Sequence, residues 1–444
     1  MTMAHPNQAV QAESRPNKRS AVPDRLLLGG SIILQILLAY FFGHAYDMRI
    51  IMSTGYLVGT GQNPYVAQDL SAVFHNSTFQ GITTLGYPPP WSLVLGLIYL
   101  CTYKLIPNFL LYNLATKLPI VAANICLAYL VVHILKKLGV REALTHRAWL
   151  FLLFNPFLLL TSSAWGQFDP IMAVLVLLSL YLLSEGQLTG PAIMVALAIS
   201  LKPTSIPLVP VIFIYLAGRS LKSTLHYFLV FSLAMVLFCV VPFFIFRWDP
   251  SPILQHWNNQ FTVGGGLSFM TFLEYVKGTY LLPGQLWFLG WLWMPALGIA
   301  SLAMLPGIKD FKDLLKKSLA LVMVFYLSRS WLSETNLNLI LPIVLILTCT
   351  GEFDRRTLTA FWLIPLVFSF FNTSIAQLFF PSMSGWMDSF LKLFVEYSTI
   401  RYAMRTLMVL VWLVAGWWIV WLCFKRALPI PVNSRPEINF VKAD

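Results

Sequence analysis

The chain has 444 residues, of which 58% are hydrophobic and only 11% charged, and its mean hydropathy is +0.72. Soluble proteins carry about 25% charged residues, so this composition excludes an ordinary soluble domain and indicates a polytopic membrane protein. The net charge of +12 lies in short clusters between apolar runs, which is typical of cytoplasmic loops and not of a nucleic-acid-binding surface. The five cysteines occur singly, so they indicate neither a zinc site nor a disulfide framework.

The predicted membrane spans follow from the lengths of the apolar runs and from the basic clusters between them. The polar first 24 residues lack a cleavage pattern, so we expect the first span to be retained. Spans of about 20 residues, with the basic clusters placed inside, give about 12 helices. These are 25–45, 109–135, 148–164, 168–185, 189–202, 203–218, 224–246, 285–305, 318–330, 335–350, 357–380 and 404–424. The fold class is therefore an all-α membrane protein.

The predicted organisation is one transmembrane domain, residues 25–424, between cytoplasmic tails at 1–24 and 425–444. The apolar run 88–105 is not counted as a span, because counting it would put the basic cluster that follows it outside. We expect it to form an interfacial helix within a first outer loop over 46–108. Two further outer segments, 247–284 and 381–403, are also predicted.

The ionisable residues at membrane depth gather on the predicted outer side. Such groups are costly unless they are paired or face a wet cavity, which makes them functional candidates. They are Asp47, Lys117, Asp169, Lys202, Arg329 and Glu334. Structural alternatives remain open for several of them. Asp169 before Pro170 could be a helix N-cap, Lys202 could extend to the interface, and Glu334 could pair with Arg329. His44, near Asp47, is expected to be an interfacial side chain.

Several short motifs follow one another in a recognisable order. They are Asp47, Gly61 with Asn63-Pro64-Tyr65, Tyr87-Pro88-Pro89, Lys117-Leu118-Pro119, Asn155-Pro156, Gly166-Gln167-Phe168-Asp169, Lys202-Pro203, and Ser333-Glu334 with Asn336. This order resembles the GT-C superfamily of integral-membrane glycosyltransferases, most closely over residues 45–215. Within that superfamily it is similar to the GPI mannosyltransferases and the polyprenyl-phosphate-mannose-dependent mannosyltransferases.

The resemblance implies transfer of a hexose, with mannose as the leading candidate, from a polyprenyl-phosphate sugar to a glycolipid or glycan acceptor at the outer face. It implies that Asp47 is the general base, as inverting glycosyl transfer requires. It assigns the donor phosphate to Lys117, Lys202 and Arg329. Sugar or acceptor binding, or support of Asp47, is assigned to Gln167, Asp169, Tyr87, Ser333, Glu334 and Asn336.

One departure from the family pattern concerns metal binding. Many relatives carry two acids in a D-x-D arrangement at the end of the first helix, whereas the first position here is Ala45. A divalent ion held there by a pair of carboxylates is therefore not expected. A metal bridged by Asp47 and Asp169 remains open, although a metal-independent reaction without a cofactor is simpler. The implied partners are the sugar donor, the lipid-linked or glycan acceptor and membrane lipid, without nucleic acid.

Two other classes of function remain open from the sequence. A transporter or flippase of a lipid-linked sugar would also use broken helices, although it would place its charges near the bilayer centre. A noncatalytic subunit of a membrane complex is the second, because Ala45 could mark a lost site. The expected location is the plasma membrane in a prokaryote or the endoplasmic reticulum in a eukaryote, with both termini cytoplasmic.

Overall fold

The fold is predominantly helical in the part of the chain that the computed structural model describes, residues 23–82, 85–373, 375–383, 389 and 396–425. Helices α1 to α11 are Asp24–Phe41, Ala45–Gly59, Ser71–Phe74, Pro89–Cys101, Phe109–Lys137, Glu142–Phe154, Pro156–Leu159, Asp169–Ser184, Thr189–Leu201, Leu208–Ala217 and Leu221–Cys239. Helices α12 to α21 are Val241–Phe246, Ser251–Gln260, Phe272–Lys277, Trp293–Leu302, Phe311–Ser328, Leu341–Cys349, Arg355–Asn372, Ile375–Leu378, Phe380–Met383 and Ser398–Phe424. Strands β1, Gly265–Gly266, and β2, Trp331–Leu332, form one parallel pair. The predicted tails lie almost entirely outside the described residues.

The all-α membrane class is confirmed, although the individual spans differ from the predicted ones. Within the described ranges, six helical segments are long and apolar enough to cross a membrane: Asp24–Phe41, Phe109–Lys137, Glu142–Ala164, Leu221–Phe246, Gly284–Leu302 and Ser398–Phe424. Other predicted spans are shorter or broken. The run 189–218 is interrupted at Lys202 and a 3₁₀ turn, Pro203–Ser205, because proline removes a backbone donor there. The predicted span 335–350 starts as a 3₁₀ helix, Glu334–Leu339, and is α-helical only over α17.

The first outer loop contains a helix that hydropathy does not reveal. Helix α2 begins within three residues of the end of α1 and packs against α4, the helix that occupies the predicted interfacial run. The two helices approach closely because glycines lie at their contact. A Cβ at Gly55 would come within 2.8 Å of the backbone oxygen of Leu95, and one at Gly96 would come within 2.3 Å of the Val58 side chain. The predicted loop is therefore in part a buried helical pair.

Ion pairs identify one end of the helix bundle. Lys137 pairs with Glu185 at 3.7 Å and Lys316 with Glu352 at 2.9 Å, at helix ends and loops that the sequence places in the cytoplasm. At the same end, His146 Nε2 forms a hydrogen bond of 2.9 Å with Asp24 Oδ1. Helix α5 starts at the opposite end with Phe109 and finishes at Lys137. The two ends of the bundle are therefore chemically distinct, and the candidate residues lie at the end where α5 starts.

A local widening of the backbone leads into the candidate site. After α6, Asn155 and a proline restart the helix, and Asn155 Oδ1 accepts a hydrogen bond of 3.0 Å from the Leu158 N–H. The chain then forms a π-helical turn, Leu160–Ala164, of a kind often found at functional positions. Asn124 of α5 donates to Ser162 Oγ of this turn at 2.9 Å. The turn thus holds the following segment, residues 165–168, against α5.

The outer segment 247–284 lies across the same end of the bundle. Its helix α13 contacts the loop before α4, where Trp257 Nε1 donates to the Gly86 carbonyl at 2.8 Å. Asn63 Nδ2 donates to the Asp249 carbonyl at 3.0 Å. Farther along, β1 pairs with β2 directly after Arg329. The segment therefore connects the loop at Tyr87 with the turn at 329–336.

Candidate functional site

Asp47 is held by three neighbouring side chains at the start of α2. His44 occupies the N-cap position of that helix, and its Nδ1 lies 3.0 Å from Asp47 Oδ2. The indole N–H of Trp165 donates to the same carboxylate oxygen at 2.5 Å. Burial raises the pKa of Asp47, but the hydrogen bonds from His44, Trp165 and Gln167 outweigh it and leave the pKa below its usual value. The carboxylate is therefore ionised and already partnered.

His44 is buried and not interfacial, which corrects the expectation from the sequence. Only 7% of its surface is exposed, its ring stacks on Trp165 with centroids 4.3 Å apart, and its Nε2 lies 3.0 Å from Thr373 Oγ1. The imidazole thus joins the start of α2 to the end of α18. Its connection to Asp47 favours the tautomer with the proton on Nδ1, because a carboxylate accepts a hydrogen bond and cannot donate one when ionised.

Asp169 and Lys202 form a buried ion pair. Lys202 Nζ lies 3.1 Å and 2.9 Å from the two carboxylate oxygens, and the side chains are 5% and 0% exposed. Asp169 is the first residue of α8, with proline next, but no side chain caps that helix. The N-cap alternative is therefore wrong, as is extension of Lys202 to the interface. The ammonium also lies over the rings of Tyr87, at 5.6 Å, and Phe168, at 5.8 Å.

Arg329 and Glu334 do not pair with each other. Both carboxylate oxygens of Glu334 accept from Asn372 Nδ2, at 2.9 Å and 3.1 Å. Arg329 as a residue is half-buried, and its guanidinium carbon lies 5.2 Å from the centre of the Phe325 ring. Within the described ranges, no hydrogen bond or ion pair to Arg329 is found, which separates it from the other buried cations.

Lys117 does not join the other charged candidates. It is fully buried, and its ammonium donates to the backbone carbonyls of Phe42 and, at 3.0 Å, Ala164. These carbonyls end α1 and the π-helical turn, so the lysine satisfies acceptors that lack a helical partner. The side chain also lies below Gly166, where a Cβ would come within 3.0 Å of Lys117 Cε. Through these contacts Lys117 connects α5 to the segment that contains Trp165.

The remaining candidates lie in the turn before α17. Ser333 Oγ lies 3.0 Å from Thr335 Oγ1, and the carbonyl of Asn336 accepts from the Tyr326 hydroxyl at 3.1 Å. The side-chain oxygen of Asn336 is buried, and no hydrogen-bond partner for it is found in the described part of the chain. These contacts position the turn beside α16.

Tyr87 marks where the candidates come together. The charges of Asp47, Asp169, Lys202 and Arg329 are all close enough to act on the Tyr87 hydroxyl. The structure therefore brings together five residues that are distant in sequence. We call them the Tyr87 cluster: Asp47, Tyr87, Asp169, Lys202 and Arg329. In it, the ion pair is internally neutral and Asp47 is hydrogen-bonded, so Arg329 is the charged member for which no hydrogen bond or ion pair is found among the described residues. Such a cluster is suited to binding an anionic or hydroxyl-rich group.

Metal binding has no support in the residues that the structure describes. Across the described ranges, no group of three or more His, Cys, Asp and Glu side chains is arranged to hold a metal ion. The acidic members of the Tyr87 cluster are already engaged by Lys202, His44 and Trp165.

Several structural contributors were not predicted from the sequence. Trp165 holds the Asp47 carboxylate through its indole N–H. The sequence feature that could have indicated this role is a tryptophan next to the glycine-containing turn. Arg405, only 4% exposed, lies on α21, and its Nη2 is 2.6 Å from Glu274 Oε2 in the outer segment. An arginine within an otherwise apolar helix was the signal there.

Residues 87–263 match the model of a family described as GPI transamidase subunit PIG-U. The matched range is less than half of the chain and includes Tyr87, Gln167, Asp169 and Lys202. A comparison with curated proteins gives no match. The chain is a multi-pass membrane protein with this partial similarity.

The match overturns the hexosyltransferase prediction. Members of the matched family are subunits of a transamidase and do not transfer mannose, so the predicted hexosyltransferase activity is wrong and the polyprenyl-phosphate sugar donor has no support. The alternative of a transporter or flippase is also unsupported. The GT-C resemblance holds in part, because the matched family is related to GT-C-like multi-pass membrane proteins, but the mannosyltransferase branch inferred from it is wrong.

Proposed function

We propose that this chain is a membrane subunit of a transamidase complex of the GPI transamidase type, and that it contributes glycolipid binding and not the transfer chemistry. The match over residues 87–263 is the observation that carries the proposal. Most of the charged residues at the outer end lie in or against this matched range. The same proposal includes a location in the endoplasmic reticulum membrane, with both termini on the cytoplasmic side, where the basic loops lie.

The side-chain chemistry supports a subunit that does not itself transfer an acyl group. Covalent amide exchange needs a nucleophile activated by an adjacent base. Among the described residues, the one cysteine found in a side-chain hydrogen bond is Cys239, whose sulfur lies 3.1 Å from a serine hydroxyl. A hydroxyl is not a base, so this contact does not activate the thiol. Two threonine hydroxyls contact a histidine, Thr373 with His44 and Thr189 with His226, each at 3.0 Å. Thr373 is only 6% exposed and ends α18, and Thr189 begins α9, away from the Tyr87 cluster. We assign both contacts to helix packing.

The Tyr87 cluster supports binding of a phosphate-bearing headgroup. Glycosylphosphatidylinositol lipids carry phosphate and sugar hydroxyls, which a cation among tyrosine and amide side chains can recognise. Arg329 is the candidate for the phosphate, because it is half-buried and has no ion pair within the described ranges. Asp169 and Lys202 would hold the neighbouring turns in place.

The complex itself provides the first test. The chain would be tagged at its natural locus, purified in mild detergent, and analysed for partner subunits and for transamidation of a model substrate by the membranes. Deletion should abolish transamidation, and both the native chain and Thr373→Val should restore it. The proposal fails if membranes without the chain keep full activity, or if Thr373→Val assembles normally but has no turnover.

Ligand binding is tested on the purified complex in nanodiscs that contain a phosphate-bearing glycolipid. Arg329→Gln should leave assembly intact and weaken glycolipid binding by about tenfold or more, which corresponds to about 1.4 kcal/mol. Lys222→Met, which removes an exposed cation from α11, is the matched control. Equal binding by both variants would remove Arg329 from the site.

A further inference from the structure

A modification motif lies in the first outer loop, apart from the Tyr87 cluster. Asn76, Ser77 and Thr78 form the pattern Asn-x-Ser/Thr, which is the acceptor for asparagine-linked glycans. Asn76 is the N-cap of a short 3₁₀ turn, Ser77–Phe79, that follows α3. A pattern of three residues is common by chance. Whether it is a site of modification depends on which side of the membrane it occupies and on the conformation of the asparagine.

The contacts of this loop place Asn76 at the end of the bundle opposite the basic loops. Arg49 Nη1 donates to the Thr78 carbonyl at 2.7 Å, close to the start of α2. The ring of Phe79 packs against Phe109, the first residue of α5, with centroids 5.9 Å apart. Because α5 ends at a pair of lysines, the positive-inside rule puts its beginning on the outer or lumenal side. Asparagine-linked glycans are carried by surface loops of secreted proteins and thus on that side.

The local conformation presents the asparagine amide with its oxygen already engaged. Asn76 Oδ1 accepts from the Thr78 N–H at 3.0 Å and from the Thr78 hydroxyl at 2.7 Å. This is an Asx turn that couples the two essential residues of the motif. No hydrogen bond to Asn76 Nδ2 is found in the described part of the chain. Asn76 itself is partly exposed, and His75 and Ser77 on either side of it are exposed. The motif therefore lies at the protein surface, and a glycan on Asn76 Nδ2 would displace no hydrogen bond found among the described residues.

A second occurrence of the pattern is structurally different. Asn372 and Thr373 begin it, but Asn372 Nδ2 donates to both carboxylate oxygens of Glu334, and Thr373 is buried against His44. Modification of Asn372 would require these contacts at the outer end of the bundle to break. The chain thus provides an internal comparison between an open and an occupied acceptor.

We propose that Asn76 carries an asparagine-linked glycan on the outer or lumenal face of the protein. The co-reactant is a lipid phosphate- or pyrophosphate-linked oligosaccharide, supplied to a separate membrane oligosaccharyltransferase. A bond forms between Asn76 Nδ2 and C1 of the first sugar, the bond from C1 to the phosphate oxygen breaks, the amide loses one proton, and the lipid phosphate leaves. The inference depends on the orientation of the loop and not on the transamidase role.

The test is a mobility and mass analysis of the full chain, tagged and expressed in eukaryotic cells. Treatment with peptide N-glycosidase should remove one glycan and convert Asn76 to Asp in the peptide that contains it. Asn76→Gln and Thr78→Ala should abolish the shift, Thr78→Ser should keep it, and Asn372→Gln should leave it unchanged. Thr78→Ala retains the asparagine, so it separates loss of the motif from loss of folding.

The inference is overturned if the native chain shows no enzyme-dependent shift, or if the shift persists in Asn76→Gln. It is also overturned if Asn372→Gln removes the glycan. The transamidase assay described above is a separate readout, so an unmodified Asn76 in an active complex would contradict this inference alone.

Discussion

Replacement of Lys202 by methionine should be among the most damaging single substitutions in the bundle. The lysine ammonium lies 2.9 Å and 3.1 Å from the two oxygens of Asp169, and both side chains are almost completely buried. At about 3 Å and an effective dielectric constant of about 20, two unit charges attract by about 5 to 6 kcal/mol. Desolvation offsets much of this attraction while both partners are present. Loss of the lysine leaves the carboxylate buried alone, which costs about 3 to 5 kcal/mol.

The measurement is the free energy of unfolding in mixed micelles for a double-mutant cycle. Lys202→Met alone should lower it by about 3 to 5 kcal/mol. When Asp169→Asn is added, the buried charge is removed and about 1 to 3 kcal/mol should be recovered. Lys222→Met is exposed on α11 and should change stability by less than about 0.5 kcal/mol. The reasoning is refuted if Lys202→Met is as mild as this control, or if the cycle shows no coupling.

Three further predictions concern packing, hydrogen bonding and helix capping. Gly55→Ala should cost about 1 to 3 kcal/mol, because its Cβ would lie 2.2 Å from a tyrosine hydroxyl of α5. Trp165→Phe should cost about 1.5 to 3 kcal/mol, because it removes the indole donor to the charged Asp47. Asp354→Ala should cost about 1 kcal/mol at neutral pH, because its carboxylate caps α18. Hydrogen bonds from a hydroxyl and an N–H of the same helix lower its pKa, so the difference should disappear as pH falls below about 3.9 and through the lowered pKa.

Each of these predictions has a matched comparison. Gly30→Ala meets no atom within 4 Å and should be neutral or stabilising by up to about 1 kcal/mol. An equal loss at Gly30 and Gly55 would contradict the packing argument. Trp418→Phe, on an exposed face of α21, controls for loss of an indole, and equal effects at both tryptophans would refute the role of Trp165. A constant stability gap between the native chain and Asp354→Ala from pH 7 to pH 2 would refute the capping argument.

The polar candidates show how far sequence reasoning reaches. Asp169 and Lys202 could be selected as candidates because ionisable groups are rare at membrane depth. The residues next to them in sequence, however, suggested a separate structural role for each, a helix N-cap for Asp169 and extension to the interface for Lys202. Only the folded chain brings them within 2.9 Å of each other. An ion pair between Glu334 and Arg329 was one of the open alternatives, but Glu334 accepts from Asn372, on a different helix. A preference for pairing is local chemistry, whereas the choice of partner depends on how distant helices pack.

Helix α2 shows a different reason for a missed element. Its residues include Asp47, Arg49 and a Ser-Thr-Gly segment, so it does not resemble a span of lipid-facing apolar residues. It is helical because the backbone must satisfy its own hydrogen bonds, and its polar groups are accommodated by neighbouring helices and not by lipid. Hydropathy measures the cost of facing lipid and therefore overlooks a helix that lies inside the protein.

Composition by itself determined that this is an all-α membrane protein, because a chain with 58% hydrophobic residues and few charges can satisfy its backbone in lipid only within helices or a closed barrel, and its long apolar runs have the length of helices. The basic clusters likewise predicted which loops meet at one end of the bundle. Only the tertiary structure decided that Asp47 is bound by His44 and Trp165 and that Lys117 donates to backbone carbonyls. It also decided that Arg329 lies over the Phe325 ring and has no hydrogen bond or ion pair in the described part of the chain. Those outcomes depend on contacts between residues far apart in sequence, and the energy of such contacts is fixed by distance and burial, which no linear motif contains.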